Sequence, residues 1–134
     1  MKRILALLLA VLMLLSFAAC GEVVANDPPA APEEVVILYT NDTHTYIDKC
    51  ISFDVLGGLK AELQKQNKNV LLVDAGDHVQ GTAYGSMDKG ESIIKLMNAA
   101  KYDVATLGNH EFDYGMAGCI QVRDWAEFPY VSAN

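Results

Sequence analysis

The feature that most limits what this chain can fold into is an alternation. Four short apolar runs, "EVVILYT" (34 to 40), "NVLLVDAG" (69 to 76), "DVATLG" (103 to 108) and "PYVSAN" (129 to 134), read as strands. Between them, "DVLGGLKAELQKQNK" (54 to 68), "GESIIKLMNAAK" (90 to 101) and "GMAGCIQVRDWAEF" (115 to 128) carry apolar residues at helical spacing. The order β-α-β-α-β-α-β predicts an α/β fold, with parallel strands joined by right-handed crossovers and helices packed on the sheet. The strand runs are almost wholly apolar rather than alternating, which predicts a sheet covered on both faces. Open sheets of this kind bind ligands outside the carboxyl ends of their strands, so chemistry is expected in the residues that follow each run.

The chain ahead of the first strand reads differently. Lys2 and Arg3 precede an apolar run from Ile4 to Ala19, and small residues lead to Cys20, the layout of a secretory signal over residues 1–20. The run is shorter than the ~20 residues of a membrane-spanning helix. "SFAAC" followed by Gly21 resembles a bacterial lipobox, with Phe17 where an aliphatic residue is commoner. That resemblance implies acylation of Cys20 and a membrane lipid anchor; cleavage after Ala19 to give a free secreted protein is the alternative. Residues 21–34, rich in Pro, Ala and acidic side chains, read as a tether, and the domain proper is expected over 35–134.

Removing Lys2 and Arg3 from the 10 basic residues leaves 8 against 17 acidic ones, so an exported form is strongly anionic. A basic nucleic-acid-binding face is thereby excluded. Cys50 and Cys119 remain after the signal; export permits a disulfide between them, and two buried free thiols are equally open.

Three successive strand ends deliver metal-binding or acid/base groups. "TNDTH" follows the first, placing Asp42 and His44 two residues apart; in extended backbone both would point to one face. "VDAGDHVQGT" follows the second, with Asp74, Asp77 and His78 around Gly76, and "TLGNHEFDYG" follows the third, with Asn109, His110, Glu111 and Asp113. Any one of them reads as a turn former, an N-cap or a structural histidine. Parallel neighbouring strands bring all three ends close together, and clustered carboxylates repel unless a cation joins them. Mixed oxygen and nitrogen donors suit Zn²⁺, Mn²⁺ or iron better than Ca²⁺ or Mg²⁺. Asp77, in the flexible "AGD" turn, is placed to bridge two ions ~3.5–4 Å apart, the spacing of two-metal hydrolases.

In this order and spacing the three stretches resemble the first three motifs of the calcineurin-like metallophosphoesterases. "LMNAAKYDVATLGNHEFDYG" and "FPYVSAN" narrow the resemblance to the 5′-nucleotidase and 2′,3′-cyclic phosphodiesterase branch. The resemblance implies two divalent metal ions. It implies Asp42 and His44 as ligands of the first metal, Asp77 as the bridging carboxylate and Asn109 as a ligand of the second. His110 is implied as the catalytic histidine that steadies the phosphate and protonates the leaving group, and Asp113 as the residue that orients its imidazole. Glu111 carries no implied ligand role and reads as a cap for the following helix. His78 matches no essential ligand and is expected to line the pocket or stand in solvent. Thr45 and Tyr46, where many relatives have glycine after the histidine, are expected to narrow the mouth of the site.

The resemblance further implies an α/β/β/α sandwich, of which residues 35–134 form the first half. Later histidine motifs that complete the metal centre, and a C-terminal domain that binds the nucleotide base, are expected in a downstream part of the same chain. The expected activity is hydrolysis of nucleotides or other phosphate esters in the cell envelope, with the 134-residue piece alone inactive or nearly so. The alternatives are a non-catalytic surface lipoprotein that binds metal or nucleotide, and a structural Ca²⁺ site.

Overall fold

The computed structural model describes residues 34–49, 51–66 and 69–133, all within one compact unit. The signal segment, Cys20, nearly all of the tether, and Cys50 lie outside the described residues. Four parallel strands form one sheet in the order β1 (Val36–Thr40), β2 (Val70–Asp74), β3 (Val104–Thr106) and β4 (Tyr130–Val131). They alternate with helices α1 (Phe53–Gln66), α2 (Ala83–Asp88), α3 (Glu91–Ala100) and α4 (Gly115–Trp125), so the α/β class is as expected. The short α2 is an addition. Its sequence, "AYGSMD", is one turn and a half with a glycine inside, too short to show a helical period.

Strand order that follows chain order, with right-handed crossovers, puts every helix on the same side of the sheet. The burial pattern shows it. Leu72 and Ala105 point into a core made with Leu56, Ile93, Ile94, Met97 and Val122 of the helices. On the opposite face Ile37 is 59% exposed, Tyr39 73%, Leu71 42% and Val131 52%. The expectation that both faces are covered therefore fails among the described residues, which form one sheet and one helical layer. An apolar run in a strand reports that its side chains suit a buried face; it does not report which chain segment does the burying.

Two contacts fix the first helix, one to its neighbouring helix and one to the segments that flank β2 and β3. A Cβ at Gly57 of α1 would lie 3.1 Å from the Ala100 Cα of α3, so the two helices approach backbone to backbone there. The buried Lys60 ammonium donates to the Lys101 carbonyl at 2.5 Å and to Asp103 at 2.6 Å, and Asp103 also accepts from Leu72 N at 2.7 Å. Desolvating that ammonium is offset by these two charge-assisted partners. The core consequently holds the strand ends of β1, β2 and β3 in register, Thr40 beside Asp74 and Asp74 beside Ala105.

Candidate metal centre

The loops at those strand ends depart from ordinary backbone. Six described residues other than glycine have positive φ. Lys89 and Lys101 are left-handed C-caps of α2 and α3. The other four are Asp42 (φ 52), His44 (φ 45), Thr45 (φ 59) and Asp77 (φ 59), three of them predicted metal ligands. Each such residue costs on the order of 1 kcal/mol or more unless its surroundings enforce it, and strain of this sort gathers at functional sites.

The surroundings do enforce it. Asp42 N donates to Gly76 O at 3.1 Å and His44 N to Asp77 O at 3.0 Å, lashing the loop after β1 to the loop after β2. Thr45 is completely buried; its hydroxyl accepts from Thr82 N at 2.7 Å and pairs with the Thr82 hydroxyl at 2.7 Å. The expectation that Thr45 narrows the mouth is thus corrected: its side chain is a latch to the start of α2. Tyr46 stays half exposed, with the Lys49 ammonium 4.4 Å from its ring centroid.

His44, Asp77 and His110 come together, each offering a donor atom, all within 4.8 Å of one another and each half buried. His44 Nδ1 donates to the Gln80 carbonyl at 2.9 Å, which leaves its Nε2 lone pair for the site. His110 Nδ1 meets Asp113 at 2.7 Å in the same manner. That hydrogen bond raises the His110 pKa above the ordinary histidine value, with partial burial opposing it and the charges of Asp113, Asp77 and Glu111 adding to it. The rings of His44 and His110 meet edge to face, centroids 5.0 Å apart. Asp77 accepts from His110 N at 2.8 Å.

Of the other predicted ligands, Asp42 stands 3.6 Å from His44 Nε2 and outside that trio. Asn109 is exposed and opens the 3₁₀ turn His110–Phe112. His44 Nε2 and the Asp77 carboxylate fit a borderline divalent cation, and His110 stands close enough to reach that ion or a group bound to it.

Beneath this exposed group lies a buried one that the sequence did not announce. His78 is fully buried, contrary to the expectation of a solvated or pocket-lining residue. Its Nδ1 donates to Asp74 at 2.7 Å and its Nε2 meets the Tyr130 hydroxyl at 2.6 Å. Burial first, then the charges of Glu111 and Asp74, push the Tyr130 phenol well above its ordinary pKa, so it stays protonated. Asp74 also accepts from Thr40 at 2.5 Å and from Gly76 N at 2.8 Å.

Glu111, expected to cap a helix, is fully buried. It does not cap the following helix α4; its carboxylate reaches back instead to Gly108 N, which donates to it across three residues at 2.6 Å. Asp77 N and His78 N, more than thirty residues away, donate to it as well, both at 2.9 Å. The reach-back to Gly108 is the only signal of this role that spacing could have supplied.

Acid and imidazole residues thus stand at three consecutive strand ends of this sheet, on left-handed backbone at the first two, a donor set of the kind that metal-dependent α/β enzymes carry there. The family model described as calcineurin-like phosphoesterase matches residues 35–131, and the chain belongs to that family. Among curated relatives it is 41% identical over 115 residues to the snake venom 5′-nucleotidase of Crotalus adamanteus, covering 75% of this chain and 20% of the relative. Among solved structures, the NAD nucleotidase of Haemophilus influenzae superposes with a TM-score of 0.69 at 31% identity, covering 75% of this chain and 20% of that one. The 5′-nucleotidase precursor of Thermus thermophilus gives 0.69 at 31% identity, over 75% of this chain and 22% of that one. The chain thus spans about a fifth of the length of the relatives it matches.

Proposed function

We propose that this domain supplies the first three ligand loops of a two-metal phosphoesterase that hydrolyses nucleotides. The observation that carries the reading is the His110–Asp113 pair beside His44 and Asp77. Asp113 holds Nδ1 of His110 and raises the pKa of its imidazole, which suits a group that gives up a proton from Nε2, and the match to the phosphoesterase family over residues 35–131 favours that role. Asp42, His44, Asp77 and Asn109 would hold metals of the Zn, Mn or Fe type. When bound, the metals neutralise the phosphate and supply a water nucleophile at neutral pH. His110 Nε2 faces the phosphate and gives its proton to the leaving oxygen, while Asp113 keeps Nδ1 protonated and the ring aimed.

Asp42, His44, Asp77 and Asn109 are too few ligands to fill the coordination of two ions, and the relatives are about five times longer. The remaining donors are therefore proposed to come from further chain, which leaves residues 35–134 alone with little turnover. Export to the cell envelope, by way of residues 1–20 and an acylated Cys20, fits the charge pattern of that segment and the words "venom" and "precursor" in the relatives' names. The test is hydrolysis of AMP and of a chromogenic phosphodiester by protein reconstituted with Mn²⁺ or Zn²⁺, with metal content measured in parallel. Stoichiometric metal without turnover in a protein carrying its full ligand set would refute the enzyme and favour a non-catalytic binder.

A further inference from the structure

The buried Glu111 has no part in the chemistry proposed above, yet it touches both loops that make the site. A desolvated carboxylate persists only when its lone pairs are well satisfied. Here Oε2 accepts from Asp77 N and Gly108 N, and Oε1 from His78 N. The His78 imidazole lies 3.5 Å away. Two of these donors belong to the loop after β2 and one to the loop after β3. One of them, Asp77 N, belongs to a residue with φ 59, a left-handed backbone state that costs energy unless its surroundings hold it.

The Asp77 carboxylate in turn accepts from His110 N and lies against Gly108, where any Cβ would overlap it. Glu111 therefore grips the backbone of the acid on one side and the surface that the acid leans on at the other. We infer that Glu111 is the positioning residue of the metal centre: its carboxylate fixes the direction in which Asp77 presents its oxygens to the space shared with His44 and His110. The inference rests on the metal reading of that space. It assigns Glu111 no contact with metal or substrate; it acts through the Asp77 and Gly108 amides.

Glu111→Gln keeps the shape and one acceptor oxygen but turns an NH₂ toward an N–H donor; Glu111→Ala removes all three bonds. Co²⁺ binding to metal-depleted protein, read from the visible absorption of the bound ion, should weaken about tenfold in Glu111→Gln. The loss should approach 100-fold in Glu111→Ala, the span that residues behind metal ligands typically command. The absorption band should change as well. Val122→Ala, which cuts a cavity in the core behind α4, is the control: it should lower the melting temperature and leave Co²⁺ affinity and the band unchanged. If Glu111→Gln lowers the melting temperature like the control and binds Co²⁺ as the unaltered protein does, the positioning role is overturned while the metal site stands. If the unaltered protein takes up no Co²⁺ at millimolar concentration, the metal reading falls and this role with it. Where Glu111→Ala does not fold, the Gln variant decides.

Discussion

Two histidine–carboxylate pairs stand at the same edge of the sheet, and their inner geometry is the same. His78 Nδ1 meets Asp74 at 2.7 Å, and His110 Nδ1 meets Asp113 at 2.7 Å. They differ in what surrounds them. The His78 pair is 0% and 1% exposed and its second nitrogen is taken by Tyr130; the His110 pair is 33% and 38% exposed and its second nitrogen faces the site. A carboxylate on one imidazole nitrogen sets the tautomer in both cases. Whether the pair braces or reacts is decided by what occupies the other nitrogen, which no count of histidines and acids along the chain can tell.

The contrast can be broken by exchanging the two kinds of loss. In protein carrying its full ligand set, His110→Ala should reduce kcat for a nucleotide by roughly 10²–10⁴, the usual scale of acid–base catalysis, with metal content nearly intact and stability within about 0.5 kcal/mol. A parallel fall in metal content would make His110 a ligand rather than a proton donor. His78→Ala should do the reverse, costing about 3 kcal/mol of unfolding free energy in denaturant titration, because it strands Tyr130 and one lone pair of Asp74 in a dry interior. Unchanged stability with lost activity would mean that the buried pair belongs to the chemistry.

A finer cut is Tyr130→Phe, which keeps the packing and deprives His78 Nε2 of its partner; about 1–2 kcal/mol should be lost. No loss would show that the phenol is not needed to hold that ring. The smallest effect concerns ionisation in metal-free protein. Asp113 raises the pKa of His110, so the pair favours the folded state below the ordinary histidine pKa of about 6.5, and that contribution fades as pH rises through the raised value. Asp113→Asn should bring the His110 titration, followed by NMR, down toward the ordinary value. An unmoved titration would place the cause of the shift elsewhere.

Much of this was legible along the chain, for physical reasons. Period and residue type placed the four strands and the three longer helices, and parallel pairing of successive strands brought their ends together. The contact of His110 with Asp113 was implied by the family resemblance of "GNHEFDYG", and the structure shows it at 2.7 Å. What stayed hidden depends on partners distant in sequence. Thr45 looked like bulk at a pocket mouth because Thr82, its partner, stands just ahead of a helix too short to show a period. Glu111 looked like a local cap because two of its three donors sit one strand earlier. The uncovered sheet face was hidden too, since an apolar side chain reads the same whether or not anything packs on it.

Strand order that follows chain order also bears on how the molecule assembles. Every ladder joins strands separated by one crossover, so no strand must wait for a later one to be threaded beside it. The loop after β1 is held by the backbone of the loop after β2, and the loop after β2 by Gly108 and Glu111 after β3, so the shape of each loop depends on the strand that comes next along the chain.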